Sequence, residues 1–341
     1  MAASSKIKLL RVLDILRETD EANPYTAAQI VKQLALYGIE AERKSVLRDI
    51  TTLQDYGYDI LLHPDNKLGY YMAGREFEDW ELKILMDAAA SASFLTKENS
   101  RRLVEQISAL ASCNGQKALR AATPLPSHIK NGDPTTKNAI DLLLKAVRER
   151  KMVQFQYTYT GEDMQKHLRF DGHTYPIHPY ALIWRQDKYY LIGAYRQYKK
   201  LSYYRLDRIR NLQITEEPIS PIETILGANA DQRMSEFVDR NIYNHGGNPV
   251  TIRLSADKDA IELLVDTFGE NVRIEAASDG RLLVTAKVND GAGLELWLLQ
   301  HGDFVQIIEP LYIRQKVIQM LDEIKENYAR LAAKDETTGN Q

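Results

Sequence analysis

The first 75 residues alternate short amphipathic helical patterns with polar breaks and then change to strand patterns. Apolar side chains recur at spacings of three and four residues in three consecutive segments, which predicts three short helices. Thr26 is suited to cap the second helix and Gly57 to end the third. The predicted elements are helices over residues 6–17, 27–38 and 42–56 and strands over residues 58–63 and 69–72. Three short helices followed by a β-hairpin predict the winged variant of the helix-turn-helix fold.

The middle of the chain changes from helical to strand patterns. Residues 77–112 read as two helices, and residues 114–134 contain three prolines and two glycines, which predicts a linker. A helix over residues 137–150 then precedes four strand patterns that are joined by tight turns. Short strands with no helix between them predict a small antiparallel β-barrel.

The last third of the chain alternates strand and helix patterns. Residues 249–308 follow the order βαββαβ, which predicts a ferredoxin-like arrangement. A long helix is predicted from Leu311, and residues 334–341 read as disordered.

Composition places the chain among globular proteins with several domains. Its 341 residues are enough for two or three domains, and 44% of them are apolar. The single cysteine, Cys113, excludes an internal disulfide and fits a small apolar side chain on a helix. No apolar run approaches the roughly 20 residues of a membrane span, and the first residues lack the apolar core of a secretory signal. We therefore expect a cytoplasmic, nucleoid-associated protein.

Charge is distributed unevenly along the chain. Residues 145–212 hold 14 Lys and Arg against 6 Asp and Glu, net +8, and residues 213–341 hold 12 against 22, net −10. Residues 1–75 hold 10 of each, net 0. The central segment is therefore the part of the chain that attracts anions, whereas one copy of the N-terminal region is expected to bind DNA weakly.

The third predicted helix carries the candidate DNA contacts. Recognition helices present their first turns to base edges, where Arg can bind guanine and Lys or Ser can hold phosphate or base atoms. We therefore predict contacts from Arg43, Lys44, Ser45 and Arg48, with Lys67 of the hairpin tip on phosphate. An ordinary solvated helix face and a plain turn lysine are the alternatives.

Residues 178–209 combine aromatic strand patterns with closely spaced arginines and lysines. An arginine can pair with phosphate oxygens and an aromatic ring can stack on a base, so this stretch is typical of a site for an anionic ligand. On local chemistry alone, Arg185 and Tyr190 are candidate contacts.

The same stretch resembles the WYL domain, an Sm-like barrel named after a Trp-Tyr-Leu triplet. The resemblance rests on Pro-Tyr-x-Leu at residues 179–182, on Tyr189-Tyr190-Leu191 followed by Gly193, and on Tyr-Arg-Leu-Asp-Arg-Ile at residues 204–209. The triplet departs from its name at the first position, which stays aromatic. Residues 153–157 match the opening strand, and the tail resembles the C-terminal extension of such proteins, WCX. The N-terminus resembles the winged helix-turn-helix that precedes them, through Arg48-Asp49 and Gly69-Tyr70.

The resemblance implies a ligand-responsive bacterial transcriptional regulator whose WYL pocket senses single-stranded DNA or another nucleotide-like anion. It implies effector contacts at Tyr157, His178, Arg205 and Arg208. Structural alternatives are a core position for Tyr157 and Tyr190, a turn for His178, and an ion pair of Arg208 with Asp207 or another carboxylate. Strand alternation puts Arg205 and Arg208 on opposite faces unless the chain bends between them.

The predicted fold class is α+β and multidomain, with a winged helix-turn-helix, a helical linker, an Sm-like or SH3-like small β-barrel and a ferredoxin-like C-terminal domain. The predicted domains are a DNA-binding domain at residues 1–75, a linker or dimerisation region at 76–134, an effector-sensing barrel at 135–216, a C-terminal extension at 217–330 and a disordered tail at 331–341.

Catalytic and cofactor motifs are absent from the sequence. No HExxH, Walker A or Gly-x-Ser-x-Gly sequence occurs, so we expect no enzyme and no cofactor. A metal cluster of Asp171, His173 and His178 was considered, but a turn between two strands explains these residues more simply.

Two functions remain open from the sequence. The first is a homodimeric regulator that binds a double-stranded operator, because pairing two heads on a palindrome supplies the affinity that an uncharged head lacks. Residues 77–112 and the acidic extension are the expected dimer surfaces. The alternative is an accessory protein whose barrel binds RNA or single-stranded DNA and modulates a partner enzyme.

Overall fold

The computed structural model describes residues 5–124, 132–133, 135–198, 200–244, 247–269 and 272–338. The chain divides into two compact units, residues 1–137 and 138–341. Over the described residues, none of the helices combines the length and the apolar character that a membrane crossing requires.

The first unit begins with three helices and a two-stranded hairpin, as predicted. These are α1 (Ser5–Arg17), α2 (Ala27–Leu36), α3 (Arg43–Tyr56), β1 (Ile60–Leu62) and β2 (Tyr70–Met72). Thr26 caps α2 in a reciprocal capping box with Gln29, so two backbone N–H groups that lack helical partners are satisfied. Gly57 ends α3 at φ 114°, a left-handed conformation that glycine adopts without strain.

One apolar core holds these five elements together. Val12 and Leu16 of α1 meet Ile30 of α2 and Val46 and Ile50 of α3, and each of these side chains is almost fully buried. The buried positions of α3 lie on one side of the helix, so the other side is left to solvent.

Three more helices follow in the same unit: α4 (Asp79–Ser91), α5 (Lys97–Ser108) and α6 (Cys113–Ala121). The predicted linker at 114–134 is therefore wrong for its first part. Ser112 caps α6 by accepting a hydrogen bond from Gly115 N–H at 3.0 Å, and Leu119 is buried against Leu82 and Met86. A good cap and one buried leucine outweigh the glycine there. Residues 125–131 and 134 of the predicted linker lie outside the described residues.

The second unit contains a strongly curved antiparallel sheet. Its elements are α7 (Thr135–Glu149), β3 (Lys151–Thr160), β4 (Lys166–Leu168), β5 (Thr174–Arg185), β6 (Lys188–Tyr195), β7 (Leu201–Arg205) and β8 (Ile209–Pro218). Strands pair in the order β8-β3-β5-β6-β7, with β4 also on β3. In a flat sheet β7 and β8 would lie about 19 Å apart at about 4.8 Å per strand. The turn Leu206–Arg208 joins them but can span at most about 14 Å. The sheet must therefore curl until its edges approach each other.

The curled sheet encloses a dry core. Phe155, Ile177 and Leu191 are fully buried inside it, and Leu143 of α7 closes the cluster from outside. The four strands predicted in this region are present, whereas β4 and β8 were not predicted.

Two short helices, also not predicted, follow the curved sheet: α8 (Glu223–Leu226) and α9 (Ala230–Asp239). Their apolar side chains, including Phe237, pack on Ile192 and Leu201 of β6 and β7. Each side of these two strands is therefore covered by apolar side chains.

The rest of the second unit has the predicted βαββαβ order. Its elements are β9 (Pro249–Ala256), α10 (Ile261–Phe268), β10 (Arg273–Ala276), β11 (Leu282–Asn289), α11 (Ala292–Gln300), β12 (Val305–Glu309) and α12 (Leu311–Thr338). The antiparallel sheet has the order β10-β11-β9-β12. Leu264 of α10 and Trp297 of α11 are buried against Ile252 and Val284 of the sheet.

The predicted disordered tail is wrong for most of its length. The helix α12 continues to Thr338, so residues 331–338 are helical rather than disordered. Residues 339–341 lie outside the described residues. The sequence after residue 331 is charged and contains alanine, and alanine, lysine and glutamate are good helix formers.

Candidate functional site

The exposed side of α3 carries most of the predicted DNA contacts. Arg43, Lys44 and Arg48 are exposed on the first two turns. None of the three side chains makes an ion pair within the described part of the chain. Unpaired cations on the first turns of a helix can contact phosphates and base edges without first breaking an internal bond.

Ser45 is placed differently from its neighbours. It is half-buried, and its hydroxyl accepts a hydrogen bond from Lys8 of α1. The same Lys8 ammonium lies 2.8 Å from Asp49 Oδ2, and both of these side chains are largely buried. The geometry therefore favours a structural role for Ser45, in joining α1 to α3, over the predicted DNA contact.

Lys67 lies at the tip of the hairpin. Its backbone N–H donates to Asp65 Oδ1 at 3.1 Å, which fixes the turn, and the residue is exposed. Such a position is compatible with the predicted phosphate contact.

Arg205 in the second unit is paired with a carboxylate inside the protein. Its Nε and Nη2 atoms donate to the two carboxylate oxygens of Asp207 at 3.1 and 2.7 Å. Burial would raise the pKa of Asp207, but the hydrogen bond and charge of Arg205 outweigh burial and hold that pKa below its usual value. The sequence left such a pairing with Asp207 open for Arg208, whereas the structure shows it for Arg205.

Three other arginines of this region also have internal partners. Arg185 donates to the Val238 carbonyl at the end of α9. Arg210 donates to the carbonyls of Asp207 and Ile209, and Arg196 forms an ion pair with Glu217 at 3.0 Å. The predicted effector contact at Arg185 therefore competes with a capping contact on α9.

Arg208 is the exception among the predicted arginines. Its guanidinium makes no hydrogen bond or ion pair with the residues that the structure describes. It ends the three-residue turn Leu206–Arg208, which bends the chain after Arg205. The strand alternation that would place Arg205 and Arg208 on opposite faces therefore does not apply across this turn.

The two predicted tyrosines are largely buried. The Tyr157 hydroxyl accepts a hydrogen bond from the backbone N–H of Arg205 at 2.9 Å, and burial raises the pKa of Tyr157. Tyr190 is buried beside Tyr203, with ring centroids 6.0 Å apart. Both have the geometry of core tyrosines.

His178 is buried and orients a turn. Its Nδ1 accepts a hydrogen bond from Ser220 N–H at 3.2 Å, so that nitrogen is unprotonated. Burial, followed by the positive charge of Arg196, lowers the pKa of His178. A neutral, buried imidazole does not offer a charge to an anion.

An aromatic cavity of about 480 Å³ opens on the surface of the same curved sheet. Its walls carry six aromatic side chains and the polar residues Gln197, Lys200 and Ser202. The aromatic residues are Phe170, His173, Tyr175, Tyr195, Tyr198 and Tyr204. Among its described lining residues there is no carboxylate, and Lys200 carries a positive charge. The cavity can accept an anionic ligand without pairing against an acid.

The rings in this cavity are held by the core beneath them. Tyr175 and Tyr204 lie 6.0 and 5.5 Å from the buried ring of Phe155, measured between centroids. Burial raises the pKa of Tyr204 to about 12, so its hydroxyl is neutral near pH 7. Tyr195 adds a ring 6.2 Å from Tyr175. Fixed, neutral rings of this kind provide stacking surfaces for planar groups.

The rim of the cavity is more exposed and has unusual backbone geometry. The Tyr198 ring lies 5.4 Å from that of Tyr195 and is 64% exposed. Phe170 is 76% exposed and has φ 47°, a left-handed conformation that bulky residues seldom adopt. Backbone outliers of this type cluster at ligand sites, so Phe170 is a candidate contact.

Tyr157 links the predicted site to this cavity. Its ring lies 6.3 Å from Tyr175 and 6.2 Å from Tyr204, while its hydroxyl binds the backbone of Arg205. Tyr157, together with the backbone of Arg205, therefore packs beneath the wall of the cavity that Tyr175 and Tyr204 form. Arg169, beside Tyr175, adds positive charge nearby.

This cavity was not predicted, although the sequence carries a signal for it. Tyr175, Tyr195 and Tyr204 each lie on a different strand, and the strands β5, β6 and β7 are paired in that order. One tyrosine on each of three adjacent strands predicts an aromatic cluster once the register is known. The predicted anion site rested mainly on the arginines instead.

The residues considered for a metal cluster lie in different environments. His173 lines the cavity, with Nε2 3.2 Å from the Tyr195 hydroxyl, whereas His178 is bound to Ser220. The described residues include no group of three or more His, Cys, Asp and Glu side chains placed to hold a metal ion.

Comparisons with known proteins agree with the layout of the second unit. The WYL domain family matches residues 138–214, and the WCX domain family matches residues 248–325. No curated protein sequence matches the chain.

Among the solved structures that match the chain are two with low sequence identity. Proteasome accessory factor B/C (PafBC) of Arthrobacter aurescens is 18% identical, with a TM-score of 0.31, over 94% of this chain and 48% of that chain. The chain thus spans about half the length of PafBC. A CRISPR Cas-related protein is 10% identical, with a TM-score of 0.41, over 75% of each chain.

Proposed function

We propose that this chain, in which a match to the WYL domain family is followed by a match to the WCX domain family, is a ligand-responsive transcriptional regulator of bacteria. In this proposal the first unit is a winged helix-turn-helix head that binds a double-stranded operator. The curled sheet is the Sm-like barrel that senses a ligand, and the C-terminal region is a ferredoxin-like extension. The protein acts as a homodimer in the cytoplasm, associated with the nucleoid, and catalyses no reaction.

The aromatic cavity is the observation that carries the sensing role. It combines neutral tyrosine rings with a lysine and, among its described lining, no carboxylate. Base stacking on an aromatic side chain contributes about 1–3 kcal/mol per base, and a lysine can neutralise the adjoining phosphate. Single-stranded DNA or a nucleotide-like anion therefore fits the cavity better than a purely anionic molecule without a ring.

The exposed side of α3 supports the DNA-binding role. Arg43, Lys44 and Arg48 present unpaired charges on the turns that a recognition helix would place in the major groove. The first 75 residues have no net charge, so two heads on a palindrome supply the affinity that one head lacks.

Regulation requires that the ligand distinguish two states of the dimer. A ligand that binds one relative orientation of the two heads more tightly shifts the population toward that orientation. A ligand with equal affinity for both would leave operator binding unchanged.

The test is an operator-binding assay with and without a short single-stranded oligonucleotide. The operator is first identified by sequencing the DNA that the protein captures in cells, before and after DNA damage. We expect the oligonucleotide to change operator affinity and to raise Tm, because a ligand at 100 times its Kd stabilises the folded state by about 2.7 kcal/mol. An oligonucleotide that changes neither would rule out the sensing role.

The alternative function, an accessory protein that binds RNA or single-stranded DNA and modulates a partner enzyme, uses the same cavity. The Arg43→Ala/Arg48→Ala variant separates the two functions. Loss of regulation in cells supports the first function, whereas full activity of this variant in cells supports the alternative.

A further inference from the structure

The last helix of the chain has an outer half with no neighbours in the described structure. Residues 321–332 of α12 are exposed on every side of the helix, and the helix continues to Thr338. At 1.5 Å per residue, residues 322–338 extend for about 25 Å. A single helix of this length is marginally stable in water unless it packs against something.

The outer half nevertheless carries an apolar stripe. Apolar side chains recur at intervals of three, four and three residues, at Leu321, Ile324, Tyr328 and Leu331. They continue the line of Val317, which is partly buried against the core of the same region. Ile324 is 42% exposed and Tyr328 71% exposed. This spacing is the a/d pattern of a coiled coil, in which the stripe is buried against a second helix.

The base of the stripe runs into an apolar groove of about 250 Å³. The groove lies between α12, α11 and β12, and Ile318 and Leu321 form one wall. Leu298, from α11, and Ile307, from β12, form the other side. Arg314 is the charged residue in its described lining. A helix that covered the outer stripe could continue into this groove without leaving apolar surface.

The charges along α12 identify the helix that fits. Residues 311–321 hold two basic residues and no acidic residue, net +2, whereas residues 322–332 hold three acidic and two basic residues, net −1. An antiparallel copy of α12 sets each half against the half of opposite charge, whereas a parallel copy sets like against like. Arg314 makes no ion pair within the described residues, so it is available to the acidic half of a partner helix.

We propose that α12 is an interface helix that pairs antiparallel with the α12 of a second copy of this chain. The pair has two-fold symmetry, with its axis near residues 321–324. Ile324, Tyr328 and Leu331 of each copy pack on the basal stripe and in the groove of the other. Such an interface closes on itself, as two-fold contacts do, and leaves no unpaired surface for further growth.

The proposal rests on the homodimer of the proposed function but not on its ligand or its DNA. A variant of the α12 stripe that dimerises normally would overturn the α12 interface alone, whereas a monomeric unaltered chain would overturn the homodimer as well. The proposal assigns the dimer to a surface in the second unit.

Two matched variants of the full-length chain test the seam, which is the apolar stripe along which the two α12 helices would pack. Ile324→Lys/Tyr328→Lys places two positive charges on the stripe, and Gln315→Lys/Gln319→Lys places two on the opposite side of the same helix. By sedimentation equilibrium we expect a dimer for the unaltered chain and for the control. The seam variant should dissociate with a Kd raised by about 100-fold or more, because two large apolar contacts are lost. Unchanged far-ultraviolet circular dichroism would show that all three proteins are folded, whereas the Tm of the seam variant is expected to fall because the dimer no longer stabilises the folded state.

Three outcomes would overturn the proposal: a monomeric unaltered chain at tens of micromolar, a seam variant that dimerises like the control, or a control that dissociates like the seam variant. A larger assembly with other proteins would not count in favour, because the sample contains this chain alone.

The orientation of the pair is tested by cysteine cross-linking in a Cys113→Ser background. Arg314→Cys/Leu331→Cys should form a disulfide-linked dimer, because antiparallel pairing brings residue 314 of one copy beside residue 331 of the other. Tyr328→Cys alone should stay unlinked, because residue 328 faces its own copy only in a parallel pair. Efficient linkage of Tyr328→Cys would overturn the antiparallel arrangement.

Discussion

Two cationic regions of this molecule look alike in sequence and differ in structure. The first turns of α3 and the stretch of residues 178–209 both carry closely spaced basic residues. On α3, Arg43 and Arg48 are exposed and unpaired among the described residues. In the curled sheet, Arg205 is bound to Asp207, and Arg185 to the carbonyl of Val238.

The difference shows that a positive charge indicates a ligand only when no internal group already satisfies it. An arginine that is paired with a half-buried carboxylate stabilises the fold, and removing it leaves a charge without a partner. In the curled sheet we therefore propose that an anion binds at Lys200 and the tyrosines of the cavity, with Arg208 as a further candidate contact.

Operator binding should depend most strongly on Arg43 and Arg48, the two exposed arginines of α3 that make no ion pair within the described residues. Arg43→Ala/Arg48→Ala should lower operator affinity about 100-fold or more, because each base or phosphate contact contributes about 1–3 kcal/mol. The slope of log K against log salt should become less negative by about 3.6, since the homodimer loses four phosphate-neutralising charges, two from each head. Fluorescence anisotropy over a salt series measures both.

The matched control for this variant is Lys97→Ala/Arg101→Ala, which removes two exposed charges from α5 of the same unit. If the control weakens operator binding as much as the α3 variant does, general charge rather than α3 accounts for binding.

Ligand binding in the second unit should depend on the aromatic rim. Tyr198→Ala should weaken binding of a short single-stranded oligonucleotide by about 1–3 kcal/mol, the contribution of one stacked base, with no change in Tm. Tyr159→Ala is the control, because Tyr159 is a similarly exposed tyrosine of the same sheet outside the cavity. Isothermal titration calorimetry measures the affinities, and equal losses in both variants would contradict the assignment.

Removing the paired arginine should affect stability rather than ligand binding. Arg205→Ala should lower the free energy of unfolding by about 1–2 kcal/mol, because Asp207 loses two charge-assisted hydrogen bonds at a partly exposed position. Arg208→Ala should leave it unchanged. Denaturant unfolding at neutral pH distinguishes the two, and a more stable Arg205→Ala variant would contradict the structural role.

The Arg205–Asp207 ion pair also predicts that the free energy of unfolding depends on pH in the acid range. Because the folded-state pKa of Asp207 is lowered, its contribution is complete above its ordinary value of 3.8 and is lost as pH falls through the lowered folded-state pKa. The difference in unfolding free energy between Arg205→Ala and the unaltered chain should therefore shrink below about pH 4.

His178 should give the smallest change. Its pKa is lowered from 6.5 by burial, so below pH 6.5 the unfolded chain binds a proton that the folded chain does not. Stability therefore decreases as pH falls through this range. His178→Asn keeps an acceptor near the position of Nδ1 and does not titrate. The unfolding free energy of this variant should vary less between pH 7 and pH 5.5, and an identical pH profile would show that His178 does not contribute.

The sequence predicted elements better than it predicted contacts. Thr26, Gly57 and the βαββαβ order were readable because caps and periodicity are local properties. The helix α6 was not predicted, because its burial depends on Leu82 and Met86, about 30 residues earlier. The sequence left open a pairing of Arg208 with Asp207, and the structure instead pairs Asp207 with Arg205 beside the bend at residues 206–208.

The aromatic cavity was the hardest feature to predict from the sequence, because it depends on the register of three strands. Its tyrosines come from three strands whose register sets which side chains share a face, and a shift of one residue would reverse that face. No local pattern contains this register, although the spacing of tyrosines along β5, β6 and β7 was visible.

The central claim is that the cavity of the curled sheet, and not its paired arginines, holds the ligand. A crystal structure of the full-length chain with a short oligodeoxythymidine tests it most directly. We predict a thymine stacked among Tyr175, Tyr195 and Tyr204, with a phosphate near Lys200 and the Arg205–Asp207 pair intact. An oligonucleotide bound to Arg205 and Arg185, with those internal contacts broken and the cavity empty, would contradict the account.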